Sequence, residues 1–326
     1  MTTGATVAVV GAEGVAKELG KKGTASDLTL YNAVRDGHAT TLVEPTQFPE
    51  KFTPLLTALS MADRCLLVVK ELTRPVAETI ATVDVVDVPT TIVMGDGVGG
   101  EELARALRGG RLEKAERRPL DLPALRELVE AWTAPIVDGP VLVPIDHAFP
   151  VKGVGAVALG VVRRGALHAH ERVRLWPTPK IVEVRSIQVH DVDRREAGCG
   201  ERVGVALRGA EADELGRGQV LAPEGSLHVG DTLRGGPLLR CRYYRGDARP
   251  GAQLNLVVGL QTAPASLDNL TTTSVSVTAD RPLAYAAGTP AYLLDLSVPT
   301  GPRIVGRFEL GPRAEDAGHD ELTRTS

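Results

Sequence analysis

The pattern of apolar residues changes once along this chain, near Pro135, and that change limits the folds open to it. Before it, near-continuous apolar runs such as Thr6–Val10, Cys65–Val69 and Thr91–Met94 alternate with stretches whose leucines recur at helical spacing. Runs of this kind are typical of strands buried on both faces, and their alternation with helices predicts βαβ units around a parallel sheet. After it, short strand-like runs separated by Gly, Pro and Asp turns favour small antiparallel barrels.

Length and charge set the domain organisation that we expect. The 326 residues suffice for two or three ordinary domains. We predict a shortened α/β domain at residues 1–135, all-β barrels at 136–224 and 225–312, and a flexible polar tail at 313–326. The net charge is only −4, and residues 225–312 carry 8 basic and 6 acidic side chains, an excess too small to identify a nucleic-acid binder by itself.

Composition excludes several classes of protein. No apolar run reaches the roughly 18 residues that cross a bilayer, and the first residues lack the basic region of a secretory signal, so we expect a cytoplasmic protein without a membrane partner. The three cysteines, Cys65, Cys199 and Cys241, are far apart and lack metal-ligand spacing, so neither disulfides nor a zinc site is expected. We find no catalytic constellation and predict no catalytic or metal-binding residues.

Four blocks of sequence are specific enough to suggest a family. Val143–Gly155 reads VPIDHAFPVKGVG, Gly160–Gly165 reads GVVRRG, Ala197–Gly204 reads AGCGERVG, and Leu239–Gly246 reads LRCRYYRG. The first three strongly resemble the second domain of translational elongation factors, nearest to the archaeal SelB-like branch, and the fourth resembles the third barrel of that branch. The resemblance implies a GTPase-like domain followed by two β-barrels, and we expect the fourth domain of true selenocysteine factors to be absent.

The resemblance also implies a phosphate-binding loop, G-x-x-x-x-G-K-[ST], directly after the first strand. The sequence there is GAEGVAKE, which keeps Gly11, Gly14 and Lys17 but has Ala16 at the second glycine and Glu18 at the hydroxyl residue. A carboxylate about 4 Å from a phosphate charge costs on the order of 4 kcal/mol at an effective dielectric constant near 20. We therefore read these residues as the remnant of a phosphate-binding loop.

Two further family motifs are degraded in the same domain. D-x-P-G-H aligns with Glu44–Phe48, which places phenylalanine where the family has its water-positioning histidine. N-K-x-D should follow Thr91–Met94, where the sequence is instead Gly95-Asp-Gly-Val98. We predict that the domain has lost GTP hydrolysis and tight GTP binding, that no cofactor is required, and that weak binding of GTP or GDP with Mg²⁺ stays open. Two alternatives remain: a GTPase with non-standard motifs, or another nucleotide bound at Gly95–Gly100.

In the resembling factors the second barrel holds the aminoacyl end of tRNA and the third grips its acceptor and T arms. The corresponding RNA-binding candidates here are Asp146, His147, Arg185, Arg240, Arg242, Tyr244, Arg245 and Arg249. Arginines reach phosphates and tyrosines stack on bases, so the residues after position 239 suit an RNA backbone. If they form a strand, Arg240, Arg242 and Tyr244 share one face. We expect tRNA or the ribosome, and not DNA, as partner; a scaffold that binds only proteins is the alternative.

Overall fold

The computed structural model describes residues 4–35 and 38–312. Its N-terminal domain is an α/β sandwich, with β1 (Ala5–Val10), α1 (Val15–Leu19), β2 (Lys21–Ala25), β3 (Thr29–Arg35), β4 (His38–Glu44), α2 (Thr53–Met61), β5 (Arg64–Val69), α3 (Arg74–Val86), β6 (Thr90–Met94), α4 (Gly100–Leu107), β7 (Glu116–Pro119) and α5 (Leu122–Glu130). The strands at Thr6–Val10, Cys65–Val69 and Thr91–Met94 are thus present as predicted.

The sheet of this domain is mixed, not purely parallel. Its strand order is β2-β3-β4-β1-β5-β6-β7, in which β4, β1, β5, β6 and β7 run parallel and β2, β3 and β4 form an antiparallel meander. The parallel strands carry the continuous apolar runs because helices cover both faces. The meander follows α1, which has only five residues, so the chain returns to the sheet edge at once.

The middle barrel is closed by hydrogen bonding. It consists of β8 (Val143–Val151), β9 (Gly155–Val161), β10 (Ala166–His168), β11 (Arg172–Trp176), β12 (Ile181–Val189), β13 (Val192–Arg194), β14 (Glu196–Gly198), β15 (Arg202–Arg208) and β16 (Val220–Ala222). The main sheet runs β11-β16-β8-β9-β15-β12-β13, and an additional pairing of β11 with β12 closes the ring. Alternating apolar side chains fill its interior, as closure of a small barrel requires.

The C-terminal barrel is a single antiparallel sheet. Its strands are β17 (His228–Gly235), β18 (Leu239–Arg240), β19 (Gln253–Val258), β20 (Gln261–Leu270), β21 (Val275–Tyr285), β22 (Pro290–Leu294) and β23 (Ile304–Glu309), in the order β17-β21-β20-β19-β22-β23-β18. A bridge between Gly235, at the end of β17, and Leu310, directly after β23, links the first strand of this sheet to the far side of the barrel. The predicted fold class, an α/β domain followed by two all-β barrels, is therefore confirmed.

The three units share apolar cores. One cluster of buried side chains runs from α2 and α3 of the N-terminal domain into the C-terminal barrel, and a smaller cluster around Trp176 joins the two barrels. Burial of apolar surface between units stabilises one arrangement of domains. Within the described ranges 4–35 and 38–312, no helix has the length and hydrophobicity that spanning a membrane requires.

Candidate functional site

The turn after β1 keeps the backbone shape of a tight glycine loop. Gly11 has a φ of +100°, and a Cβ there would lie 2.3 Å from the carbonyl oxygen of Val68 on the neighbouring strand, so only glycine fits. Gly14 has a φ of +81° and precedes α1. The remnant loop thus survives as backbone geometry.

A carboxylate of the protein itself bonds to the backbone of this turn. Glu44, at the end of β4, accepts a hydrogen bond from the backbone N–H of Gly14 at 2.6 Å, and only 4% of its surface is exposed. Burial raises the pKa of Glu44, and the Gly14 N–H and the charge of Lys70 oppose that rise only in part. The N–H that a phosphate-binding loop would offer to a nucleotide is therefore already bonded within the chain.

The remaining loop residues do not converge on the turn. Lys17 lies exposed on α1, and no side-chain hydrogen bond or ion pair joins it to another described residue. Ala16 is fully buried in the core beneath the sheet, and Glu18 is exposed. Of the three residues predicted to remain from a phosphate-binding loop, Gly11 and Gly14 shape the turn, and the Lys17 side chain lies in solvent.

The glycine-rich segment before α4 has a structural role. A Cβ on Gly95 or Gly97 would meet Lys70, at 3.1 and 2.6 Å respectively, so these glycines allow close packing of two neighbouring loops. The first turn of α4 carries Glu101 and Glu102, which place negative charge at the positive end of the helix dipole. This arrangement disfavours a phosphate at the alternative nucleotide site.

The resemblance aligns Phe48 with the family's water-positioning histidine, and in the structure Phe48 lies at the contact with the C-terminal barrel. It is 8% exposed and packs edge-to-face on Phe52, with ring centroids 6.5 Å apart. The guanidinium of Arg303 lies 5.8 and 5.1 Å from the two ring centroids. Arg303 also pairs with Glu78 of α3 at 2.7 and 2.9 Å and donates to the carbonyl of Pro49 at 3.0 Å.

The C-terminal end of α3 is also held by the C-terminal barrel. Arg307 of β23 donates to the carboxylate of Asp87 at 3.0 Å and to the carbonyl of Val86 at 3.2 Å. A cation placed at the last carbonyls of a helix also interacts favourably with the helix dipole. Two arginines of one barrel segment thus hold α3, Arg303 at Glu78 in its N-terminal half and Arg307 at its C-terminal end.

The middle barrel turns two of the predicted RNA-binding residues inward. Asp146 is 1% exposed and receives two hydrogen bonds from Arg202, at 2.6 and 2.8 Å, and one contact from Nδ1 of His147 at 2.7 Å. Burial by itself would raise the pKa of Asp146, but Arg202 and His147 outweigh it and lower the pKa. Asp146 therefore forms a buried ion pair instead of facing an open pocket.

His147 continues this network into the N-terminal domain. Its Nε2 lies 2.9 Å from the hydroxyl oxygen of Ser26, and the adjacent Asp27 forms a bidentate pair with Arg217 at 2.7 Å for both bonds. Arg217 lowers the pKa of Asp27 to about 2. Asp146 and His147 thus belong to the contact between the N-terminal domain and the middle barrel.

One exposed part of the middle barrel is the hairpin that joins β8 and β9. Arg185 is exposed and donates to the carbonyl of Val154 at 2.9 Å. Phe149 and Val154 of the same hairpin are large apolar residues left in solvent. Neither residue stands out in the sequence, because exposure at a hairpin has no signature in a strand pattern.

The segment after position 239 differs from the predicted strand. β18 ends at Arg240 and a turn follows, so Arg240, Arg242 and Tyr244 do not share one strand face. Arg242 and Tyr243 contact the end of α4: Arg242 donates to the carbonyls of Leu107 and Arg108, and the Tyr243 hydroxyl donates to that of Ala106 at 3.0 Å. The expected face was wrong because contact with another domain, not strand alternation, orients these side chains.

Tyr244 and the other arginines have different surroundings. The hydroxyl of Tyr244 donates to Asp295 at 2.6 Å in a buried pair, and burial raises the pKa of this tyrosine. Arg240, Arg245 and Arg249 are exposed. Arg245 donates to a backbone carbonyl at 3.0 Å, and Arg249 pairs with an exposed aspartate at the same distance. Three of the five candidates in this barrel therefore present cations to solvent.

Comparison with known proteins places this geometry among translation factors. Residues 155–222 match the family Elongation factor Tu domain 2. The chain is 34% identical over 310 residues to an uncharacterised protein of Methanocaldococcus jannaschii, across 93% of this chain and 98% of that protein. It is 28% identical over 284 residues to the selenocysteine-specific elongation factor of the same organism, across 77% of this chain and 59% of the factor's length.

Solved structures show the same fold. The translation elongation factor SelB from Methanococcus maripaludis, in complex with the GTP analogue GppNHp, superposes with a TM-score of 0.81 at 19% identity, covering 97% of this chain and 81% of that one. The apo form of that SelB gives a TM-score of 0.79 at 20% identity, with the same coverage. The likeness extends over the N-terminal domain and both barrels.

Proposed function

The chain belongs to the SelB-like family of translation elongation factors, and on this basis we propose that it binds tRNA or a ribosomal partner through its two barrels without hydrolysing GTP. Such a protein would act in the cytoplasm, where these partners are found. The proposal has two parts, the absence of a GTP-driven switch and the presence of an RNA-binding surface.

The observation that carries the first part is the position of Phe48 beneath Arg303. A GTPase switch needs a segment that orders on the γ-phosphate and releases after hydrolysis. Here Phe48 of the corresponding segment is buried at the contact with the C-terminal barrel, and Arg303, which also pairs with Glu78, contacts its ring and the carbonyl of Pro49. Phenylalanine has no group that orients water, so the same substitution removes a catalytic contact and supplies an interdomain one.

Glu44 supports the same conclusion at the phosphate-binding turn. A phosphate that approached the N–H of Gly14 would meet the Glu44 carboxylate already bonded to it at 2.6 Å. Displacing that carboxylate leaves a buried acid without its partner, and keeping it places like charges in contact. Either course opposes tight binding of a nucleotide.

The RNA-binding part rests on the exposed cations of the barrels. Arg240, Arg245 and Arg249 lie in solvent on the C-terminal barrel, and on the middle barrel the exposed Arg185 bonds to the hairpin that also carries the exposed Phe149. Arginines with an exposed aromatic ring suit a folded RNA, in which phosphates and unstacked bases are both accessible.

Electrophoretic mobility shifts with aminoacylated and uncharged tRNA test this part directly. We expect binding that weakens steeply across a salt series, because each arginine–phosphate contact releases counterions. Binding to 70S ribosomes or their subunits, followed by sedimentation, tests the second class of partner. If neither tRNA nor ribosomes bind at low salt, the barrels serve another purpose and the proposed function is wrong.

A further inference from the structure

A deep groove lies between the N-terminal domain and the C-terminal barrel, apart from the residues considered so far for RNA. It is formed by the start of α3, the end of α4 and the loop from Leu296 to Arg303, and encloses about 730 Å³. That volume is within the usual range of about 300–1,000 Å³ for ligand pockets. Among the described residues, the groove is lined by neither Arg240, Arg245 nor Arg249.

The groove has an apolar floor and walls that other contacts hold in place. Its apolar lining includes Leu72, Ile80, Ala106, Leu296, Val298 and Pro302. Leu296 is 44% exposed, so its apolar side chain is accessible to an occupant of the groove. The pair of Arg303 with Glu78 and the bond from Tyr243 to Ala106 fix the barrel to α3 and α4 on either side. The groove is therefore preformed, which lowers the entropic cost of filling it.

The charges around the groove are unbalanced. Three arginines and one glutamate line it, and the glutamate, Glu78, is already paired with Arg303. The other two, Arg74 and Arg105, are exposed, and neither forms an ion pair or a side-chain hydrogen bond with any residue that the structure describes. An occupant that places carboxylates beside Arg74 and Arg105 would complement this field.

We propose that the groove binds an acidic amphipathic helix of a partner protein. Apolar side chains at i, i+3, i+4 and i+7 would cover the floor, and flanking glutamates or aspartates would meet the two free arginines. An RNA strand suits the site less well, since phosphates gain nothing from an aliphatic and proline-rich surface. This interaction is independent of tRNA binding by the barrels, so both ligands can be bound at once.

Fluorescence anisotropy with the full chain tests the proposal. The probe is a labelled synthetic peptide of about 14 residues, with leucines at i, i+3, i+4 and i+7 and glutamates on the flanking positions. We expect saturable binding that is weakened at least about tenfold by Arg74→Glu with Arg105→Glu, and likewise by Leu296→Asp. A peptide with lysines in place of the glutamates should prefer the doubly reversed variant, a gain of function that misfolding cannot produce.

The matched control reverses two exposed arginines of the middle barrel, Arg172→Glu with Arg195→Glu, which changes the net charge equally and should leave peptide affinity unchanged. Unaltered affinity in the groove variants would overturn the proposal, as would equal loss in the control. An RNA oligonucleotide that competes with the peptide and also binds the groove variants more weakly would assign the groove to nucleic acid. That result would also contradict the proposal. tRNA affinity should be unchanged in the groove variants, which separates this test from that of the proposed function.

Discussion

The guanidinium of Arg303 lies 5.8 Å from the centroid of the Phe48 ring while its nitrogens pair with Glu78 at 2.7 and 2.9 Å. The resemblance to translation factors aligns Phe48 with the histidine that positions the hydrolytic water, and phenylalanine has no group that orients water. The residue on which our proposal of a lost GTPase activity depends therefore also forms the apolar half of an interdomain contact.

Removing Arg303 should destabilise the arrangement of domains. Arg303→Ala leaves the largely buried Glu78 carboxylate unpaired, and we expect a loss of about 2–3 kcal/mol in the free energy of unfolding. Urea denaturation measures it. Arg249→Ala, which removes an exposed pair with Asp247, is the control and should cost less than about 1 kcal/mol. Equal effects of the two substitutions would show that the Arg303 contact adds little.

Asp27 should make stability sensitive to strong acid. Its pKa is lowered from 3.8 to about 2 by Arg217, so its contribution is complete above about pH 4 and is lost as the pH falls through 2. Asp27→Asn should cost about 2 kcal/mol at neutral pH and nearly nothing near pH 2. Thermal unfolding of both proteins across this range measures the difference. A difference that does not change between pH 4 and 2 would contradict the paired geometry.

Glu44 should make stability depend on pH in the direction opposite to that of Asp27. Because burial raises its pKa above the ordinary 4.5, its contribution to stability is greatest in acid and declines as the pH rises through the raised value. Glu44→Gln keeps an acceptor for the Gly14 N–H and removes the titration, so its stability should fall less than that of the wild type as the pH rises from 4.5 to 8. If both proteins follow the same curve, Glu44 is not buried as an ionisable acid.

The exposed arginines of the C-terminal barrel should set the affinity for tRNA. Arg240→Ala with Arg245→Ala should weaken binding and reduce the slope of log affinity against log salt by about 2, if each contacts one phosphate. Arg242→Ala is the informative comparison, since Arg242 holds the end of α4. That variant should lower the melting temperature and leave the salt slope unchanged. An unaltered slope in the double variant would remove this surface from the proposed contact.

Part of this architecture can be predicted from the sequence. The strands and two of the helices can be, and helix α3 cannot. The buried parallel strands and the helices at Leu55–Leu59 and Leu103–Leu107 carry clear apolar periodicity, and all are present. Helix α3 was not predicted, because its valines, threonines and isoleucine are poor helix formers. A Thr73 cap and packing between domains stabilise it nonetheless.

The candidate site depends more on contacts between residues far apart in the sequence than the strands and helices do. The pair of Asp27 with Arg217 joins residues 190 positions apart. Arg202 lies 56 positions from Asp146, and Ser26 lies 121 positions from His147, so no local pattern points to these contacts either. The departures from the family's motifs can be located by local spacing, because a phosphate-binding loop is a contiguous segment. It gave no means to see that Glu44 would bond to Gly14, since that contact exists only once β4 lies beside β1.

We propose that the N-terminal domain neither hydrolyses GTP nor binds guanine nucleotide tightly. Isothermal titration of the full chain with GTP and Mg²⁺, alone and with ribosomes present, tests it most directly. We predict no saturable binding up to about 1 mM nucleotide and no ribosome-dependent release of phosphate. A micromolar dissociation constant, with hydrolysis stimulated by ribosomes, would contradict the account.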